Sequence, residues 1–506
     1  MLHFPRALFV LLIAATSVAV GSDYIVVDLV GPKDPYYAAA ECLAKLRGGE
    51  VVSSDVQHFS DLLETLRAKQ PQYVAIVVRP DDLDVNLARS FLKLSTEVDD
   101  DPFVDFAYGF ITGDTPETAL SLARRGFDAE QNRREPTIAV AGVGEKAVTR
   151  SAVSQQQFPL RKATLPQLWG QIAGGENFTE GRDAQFIQNL MPQLAGKSLV
   201  LFAGHGYPRE VVGGPTWKNL DGLRFDGAVV LNIACLTGVT NRWFEEDWQA
   251  GVKRQRTVPR DESFCLAMLK TGAAAYVAYT CPRPAGPELF GDFAALAAEG
   301  LSVGEVRRRD YNRVVLACLA AGFDRLKIIH EADGQPIQPL RDLIRDLLLD
   351  MATGGIVFGD PIFTPFAARP EEIPTETKIE TVEDGLRVAV STDPRQLFLE
   401  CSDPLAMWDE NSQALRVLAV VPLGERNVSS VQLRELKMGG DVAEHRLVWA
   451  VEQNGDKRFL HVKINFPQPK LSQLVSLFGV RALFDIETTA DPAKSRSRFV
   501  EGEASH

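Results

Sequence analysis

Cysteine is scarce in this chain: six residues, Cys42, Cys235, Cys265, Cys281, Cys318 and Cys401, among 506. A secreted fold stapled by disulfides carries many more, so the core must come from apolar packing. No two of the six form a Cys-x-x-Cys pair, and the seven histidines show no His-x-x-x-His spacing, which leaves no metal-binding motif. Walker-type phosphate loops are absent, and Gly142-Val-Gly144 is too short to mean dinucleotide binding. Positive charge is in deficit as well. With 54 Lys and Arg against 67 Asp and Glu, the net charge of -13 argues against nucleic acid or anionic lipid as the main partner. No internal repeat is present, and no stretch after the first twenty residues or so is long and apolar enough to cross a bilayer.

The N-terminus holds the one apolar run that matters. A basic residue, Arg6, precedes apolar residues 7–15, and small residues end in Ala19-Val20-Gly21 before Ser22. This is the layout of a signal peptide over residues 1–21, because a spanning helix needs about twenty apolar residues. Export to the periplasm, the cell surface or the extracellular space is expected, with a mature protein that does not span the membrane. Cys42 and Cys318 lie inside Ala- and Leu-rich helical patterns and Cys265 opens another, so each reads as a small buried hydrophobe.

The chain is long enough for about three domains. Apolar runs at 24–30, 73–78, 104–111 and 137–143 alternate with helical periodicity at 36–46, 59–68, 87–94 and 118–125. That alternation is the grammar of consecutive βαβ units with a parallel sheet, and it defines an N-terminal α/β subdomain over 22–145. A second α/β subdomain, 146–369, opens with a polar stretch, 151–182, ahead of its strands. Its strands begin at Ser198, Ala228 and Ala273, and its helices fall at 186–194, 264–270, 287–298, 302–319 and 340–349. Ser302-x-x-Glu305 opens one of them as a capping box. After Pro370-Glu-Glu-Ile-Pro374, which reads as a linker, the pattern becomes β-rich at 386–390, 396–399, 415–421, 447–451 and 459–464. Asn454-Gly455 marks a hairpin, since both residues tolerate positive φ. A C-terminal β-sandwich of immunoglobulin-like type is expected over 370–506.

Two central strands run straight into reactive side chains. The run from Ser198 ends at His205-Gly206, and the run from Ala228 ends at Cys235. Neighbouring parallel strands end on one edge of a sheet, so residues just past their ends can converge although about thirty positions apart. A thiol attacks a carbonyl as thiolate, and an imidazole can promote that form and later protonate the leaving amine. Cys235 and His205 supply these two functions. The backbone N–H groups of Cys235 and Gly206 could complete an oxyanion hole, since glycine lets the main chain approach a bound carbonyl closely.

An apolar strand ending in His-Gly, followed by one ending in Ala-Cys, resembles the signature of the caspase, legumain, clostripain and gingipain peptidases. Further segments are similar to the gingipain-type branch: Phe106 to Asp114 with Thr115-Pro116, Glu262-Ser-Phe264 with Lys270 to Val277, and Phe358-Gly-Asp-Pro361. The likeness covers roughly residues 24 to 365. It implies two caspase-like parallel-sheet subdomains, His205 as acid/base and Cys235 as the residue acylated by a peptide. It also implies preference for one charged or amide-bearing residue before the cut. The chain departs from many gingipain-type sequences at Ala141-Gly-Val-Gly-Glu145, where they carry a Gly-Arg pair. Glu145 is a conceivable acidic assistant.

The segment Arg242 to Trp248 reads as a loop open to two readings: a solvated loop whose two Trp pack on the core, or a wall, with Trp243 and Glu246, of a pocket for a Lys or Arg side chain. Asp261 and Glu262 are further acidic candidates, flanked by Arg256 and Arg260. Cys281 follows the strand that, by resemblance, borders the primary specificity pocket. These features predict an exported cysteine endopeptidase acting on a peptide or protein substrate through an acyl-enzyme. No cofactor is required, and structural calcium stays open. The alternative is a catalytically inactive caspase-like scaffold or binding protein at the cell surface.

Overall fold

A computed structural model describes residues 23–55, 59–133, 137–142, 191–192, 194–203, 205–212, 214–282, 296, 299–320, 323–326, 328–337, 354–368, 375–392, 414–437, 446–455, 457–467 and 480–489. Its α/β part contains β1 (Tyr24–Asp28), β2 (Glu50–Ser53), β3 (Tyr73–Val77), β4 (Ala107–Ile111), β5 (Ile138–Gly142) and β6 (Leu199–Ala203). It continues with β7 (Gly206–Tyr207), β8 (Glu210–Val211), β9 (Val229–Asn232), β10 (Arg242–Asp247), β11 (Val252–Thr257), β12 (Ala275–Tyr279) and β13 (Gly355–Gly359). The helices are α1 (Tyr37–Arg47), α2 (Phe59–Lys69), α3 (Val85–Ser95), α4 (Pro116–Gln131), α5 (Phe264–Lys270) and α6 (Val303–Ala320). Their ends carry the expected chemistry. Asp84 accepts from the Asn86 and Leu87 amides at the start of α3, Thr115 caps α4 ahead of Pro116, and Ser302 Oγ accepts from Glu305 N at 3.1 Å.

Nine strands form one sheet in the order β2-β1-β3-β4-β13-β12-β9-β6-β5. Every pairing is parallel except β12 with β13. Strands β1, β4, β9, β12 and β13 are buried along their whole length, as parallel strands covered on both faces must be. The period-two pleat sorts their side chains into two layers: Val200, Phe202 and Val230 join the core on one face, Leu199, Leu201, Val229 and Leu231 that on the other. The two expected α/β subdomains therefore share a continuous sheet. The sequence reading missed β13, a five-residue strand that the chain inserts between β4 and β12. It also read 242–248 as a loop, whereas β10 and β11 pair as an antiparallel hairpin. Both hairpin strands are half-exposed and polar, so no apolar run announced them.

The C-terminal strands are β14 (Thr375–Val382), β15 (Gly385–Thr392), β16 (Ala414–Pro422), β17 (Asn427–Lys437), β18 (Arg446–Asn454), β19 (Lys457–Pro467) and β20 (Val480–Thr489). They form antiparallel sheets β14-β15-β20-β17 and β16-β19-β18, which bury Val388, Trp449, Leu460, Ile464 and Phe484 in a common core. The Asn454-Gly455 hairpin is present, with Asn454 paired to Lys457 and Gly455 at φ 58°. The order of the described strands does not confirm an immunoglobulin-like domain. Among the described strands the fifth and seventh have exchanged sheets relative to that arrangement, so the sandwich is all-β but differently wound. The expected segments 340–349 and 396–399, like the signal peptide, lie outside the described residues. No described helix is long and apolar enough to cross a membrane.

Two buried polar networks lock the parts together. In the first, Asp360, fully buried, accepts from Tyr24 Oη at 2.6 Å and from Arg47 Nε at 2.6 Å, while Arg47 Nη1 reaches Glu130 at 2.7 Å. This joins β1, α1 and α4 to the turn after β13. In the second, Glu452 of β18 meets Arg308 and Asn312 of α6 and His461 of β19, whose ring stacks on Phe103 at 4.7 Å. Burial alone would push Glu452 up, but Arg308 and His461 hold it down to about 2. Beside this joint lie Asp99, Asp101 and Asp105. Burial foremost, then the neighbouring carboxylates, raises Asp101 to about 7 and Asp105 to about 9.

Two outcomes follow. Arg47→Ala leaves Asp360 buried without its cation and is expected to cost about 3–5 kcal/mol, read from urea unfolding midpoints. The raised aspartates keep protons in the folded chain that the unfolded chain gives up near pH 4, so their contribution to stability is lost as pH rises from about 4 through about 9. Asp105→Asn retains an oxygen for the Val98 amide and is expected to flatten that decline and raise the midpoint near pH 8, as denaturant titrations across the range would register.

Candidate active site

Strands β6 and β9 pair in parallel register from Leu199 with Val229 to Phe202 with Asn232. His205 and Cys235 each lie three residues beyond that last pair, so the ladder delivers them to the same edge at the same level. Strand β12 extends the arrangement: Val277 pairs with Leu231, which places Cys281 level with Cys235. Contact between the first two segments is direct. A β-carbon on Gly206 would fall 2.4 Å from the Cys235 carbonyl oxygen, 2.7 Å from Ala234 Cβ and 2.9 Å from Thr237 Cγ2. The main chain next to His205 thus rests on the main chain of Cys235, an approach that only a residue without a side chain permits.

His205 is exposed, and its carbonyl accepts from Val212 N at 2.8 Å, closing the short β7–β8 hairpin. Cys235 is half-buried and packs, with Trp243, against Leu236, Val239 and Val258. It sits in a tightly bonded turn. Ala234 N donates to Asn232 Oδ1 at 2.9 Å, Thr237 Oγ1 to Ala234 O at 2.7 Å, and Gly238 N to Tyr279 O at 2.8 Å. Tyr276 Oη accepts from Asn232 Nδ2 at 3.1 Å and donates to Thr237 O at 3.0 Å. Leu236, directly after the cysteine, has φ 60°. A bulky side chain in the left-handed region costs about 1–2 kcal/mol, here offset by burial of Leu236 and by the bonds on either side.

A cleft of about 600 Å³ opens beside this turn. Tyr207, Glu210, Trp217 and Lys218 line one wall, Trp243 and Glu245 the other. Most of its charge is neutralised internally: Glu245 pairs with Arg256 at 2.7 Å, Arg209 pairs with Glu262, and Lys218 lies 5.2 Å from the Trp217 ring centroid. Glu210 has no ion-pair partner among the described residues. Trp243 stands where the sequence reading placed it, on the cleft. Glu246 does not line it. The pleat of β10 turns Glu246 to the opposite face, where burial foremost raises its carboxyl although Lys253 pulls it down, and Glu245 takes the cleft position. Cys281 is buried at the end of β12 and, like His205 and Cys235, lies outside the cleft lining. Glu145 falls outside the described residues.

Burial pushes the Cys265 thiol well up, which marks it as an inert core residue. No disulfide joins any two described cysteines. Among the described residues, Asp99, Asp101 and Asp105 bring carboxylate oxygens within 4.8 Å of one another, close enough to hold a cation, but they lie at the sandwich joint and not at the cleft. A second cavity, of about 480 Å³, sits at the opposite ends of the central strands, lined by Ser198, Arg125 and Asp226 among others. Sequence reasoning did not find Asn232, Tyr276 or Glu210. Asn232 had a signal, a lone amide inside an apolar strand. Glu210 had none, because its place depends on the β7–β8 hairpin.

No protein-family model matches the sequence, and no curated protein matches it at a significant level. Among solved structures, the chain is similar to the complex of pro- and mature domains of RgpB from Porphyromonas gingivalis, at 11% identity and TM-score 0.40 over 88% of this chain and 94% of that one. It is similar in the same degree, 11% identity and TM-score 0.40, to a structure described as a protease, covering 92% of this chain and 97% of that one.

Proposed function

We propose that the protein is an exported cysteine endopeptidase in which Cys235 is the nucleophile and His205 the general acid/base. The observation that carries this reading is the registered approach of the two strand ends, with Gly206 seated on the Cys235 carbonyl. In the proposed reaction the Cys235 thiolate adds to the scissile carbonyl carbon while the N–H groups of Cys235 and Gly206 receive the oxyanion. Protonated His205 gives its proton to the amine as the C–N bond breaks, leaving a thioester. His205 then takes a proton from water, whose oxygen displaces the thiol and releases the acid. The aromatic walls and the Glu210 carboxylate, which has no ion-pair partner among the described residues, suit a substrate side chain that is long and cationic, such as Lys or Arg. The basic and apolar N-terminal layout supports export.

Cys235→Ala is expected to unfold at the same temperature as the parent chain and to lose hydrolysis of a peptide library. His205→Ala should lower kcat by about 10²–10⁴-fold. Labelling of Cys235 by an irreversible peptidyl thiol probe, blocked by competing substrate, is the direct measurement. Equal turnover by Cys235→Ala, or failure of the probe to label Cys235, leaves the inactive-scaffold reading standing. Gly206→Ala should cost activity more than stability in the same assays, since its methyl group would push the two segments apart.

A further inference from the structure

One phenol closes the ring of bonds around the reactive turn. Asn232, on the strand before Cys235, and Thr237, on the turn after it, meet within the turn at Ala234 and are tied to the neighbouring strand β12 through the Tyr276 hydroxyl. The Tyr276 hydroxyl uses both its functions, accepting from the Asn232 amide and donating to the Thr237 carbonyl. All three residues are buried, so no solvent replaces a lost bond. The ring itself is fixed by stacking on Phe358 of β13, centroid to centroid 5.9 Å. Between the two anchor points lies Leu236 at φ 60°, a conformation its own side chain disfavours. A strained residue persists only where its surroundings over-determine it, and here this network joins the Ala234–Thr237 and Gly238–Tyr279 bonds in doing so. Its removal lets the main chain between Ala234 and Thr237 relax, and the Cys235 thiol and amide move with it.

We propose that Tyr276 is a positioning residue: its hydroxyl, acting through Asn232 and Thr237, holds the turn in the strained form that sets Cys235 beside Trp243 and Val258 of the cleft wall. The role rests on the reading of Cys235 as nucleophile. Burial also pushes the Tyr276 phenol well up, so it stays a neutral donor throughout the working pH range. Nothing in the motif around Cys235 encodes this tie, which comes from a residue about forty positions further along the chain.

The test is Tyr276→Phe, which keeps the ring and its stack and removes the hydroxyl. The expected result is a fall in kcat on the order of a hundredfold with KM held within about twofold. Alkylation of Cys235 by iodoacetamide should slow about tenfold relative to Cys42 in the same sample, and amide exchange should quicken over residues 233–239. Asn232→Ala should reproduce the loss, and the double variant should add little to it. Tyr24→Phe, which removes a buried phenol bond to Asp360, is the stability control and should keep kcat. Unchanged kcat and Cys235 alkylation in Tyr276→Phe, or an equal loss in Tyr24→Phe, overturns the proposal. If the parent chain cleaves no peptide, the peptidase reading fails by itself, while alkylation and exchange still decide the tie: a local change upholds it and none overturns it.

Discussion

The pairing of β6 with β9 fixes where His205 and Cys235 emerge. Because the side-chain period of a strand is two, a slip of one residue would turn Phe202 and Val230 out of one core layer and into the other, and would separate His205 from Cys235 in level. Register is held from both sides. Apolar residues fill both faces of the sheet, and the bare Cα of Gly206 fits against Cys235 only at the observed alignment. Strand β12 then adds Tyr276 and Tyr279, which fasten the turn beyond β9. The chemistry proposed for the cleft is therefore a property of the sheet first and of the loops second.

Charge is used inside this molecule mainly as a joint. Arg47, Asp360 and Glu130 tie the first strands to the turn after β13, and Arg308, Glu452 and His461 tie α6 to the sandwich. Such buried pairs contribute little net stability against apolar alternatives, because desolvation offsets most of the attraction. They do define which surfaces meet. Loss of one partner strands the other, so each joint acts as a check on correct assembly of distant parts of the chain.

Much of the α/β framework was legible because it is written as long apolar runs: β1, β3, β4, β6, β9 and β12, and the helices between them, fall within a few residues of their expected places. The segments that escaped were short or polar. Strand β13 has five residues, the first and last of them glycine, and β10 and β11 are mostly charged or polar on a half-exposed ribbon. That hairpin decided the fate of Glu246, since a loop reading carries no pleat and cannot say which of two adjacent glutamates faces the cleft. The emergence of His205 and Cys235 at one sheet edge was legible from the two apolar strands that lead to them. The tie to Tyr276 was not: Asn232 stood out as a lone amide in an apolar strand, but a hydrogen bond between neighbouring strands leaves no signature that names its partner. The exchange of β18 and β20 between sheets was equally hidden, since strand content does not specify winding order.

The segment that follows the cysteine is braced by the first half of the chain. Thr240 Oγ1 donates to the carbonyls of Pro80 and Leu83, Asn241 Nδ2 to Asp81, and Arg242 pairs with Asp84 at the start of α3. Lys253 of β11 and Arg89 of α3 share Glu331. One wall of the cleft is thus anchored on a helix from the opposite end of the sequence. The two halves cannot be exchanged as modules: a transplant of the central strands into a foreign scaffold would carry the Cys235 turn but leave its outer rampart with donors and cations facing nothing.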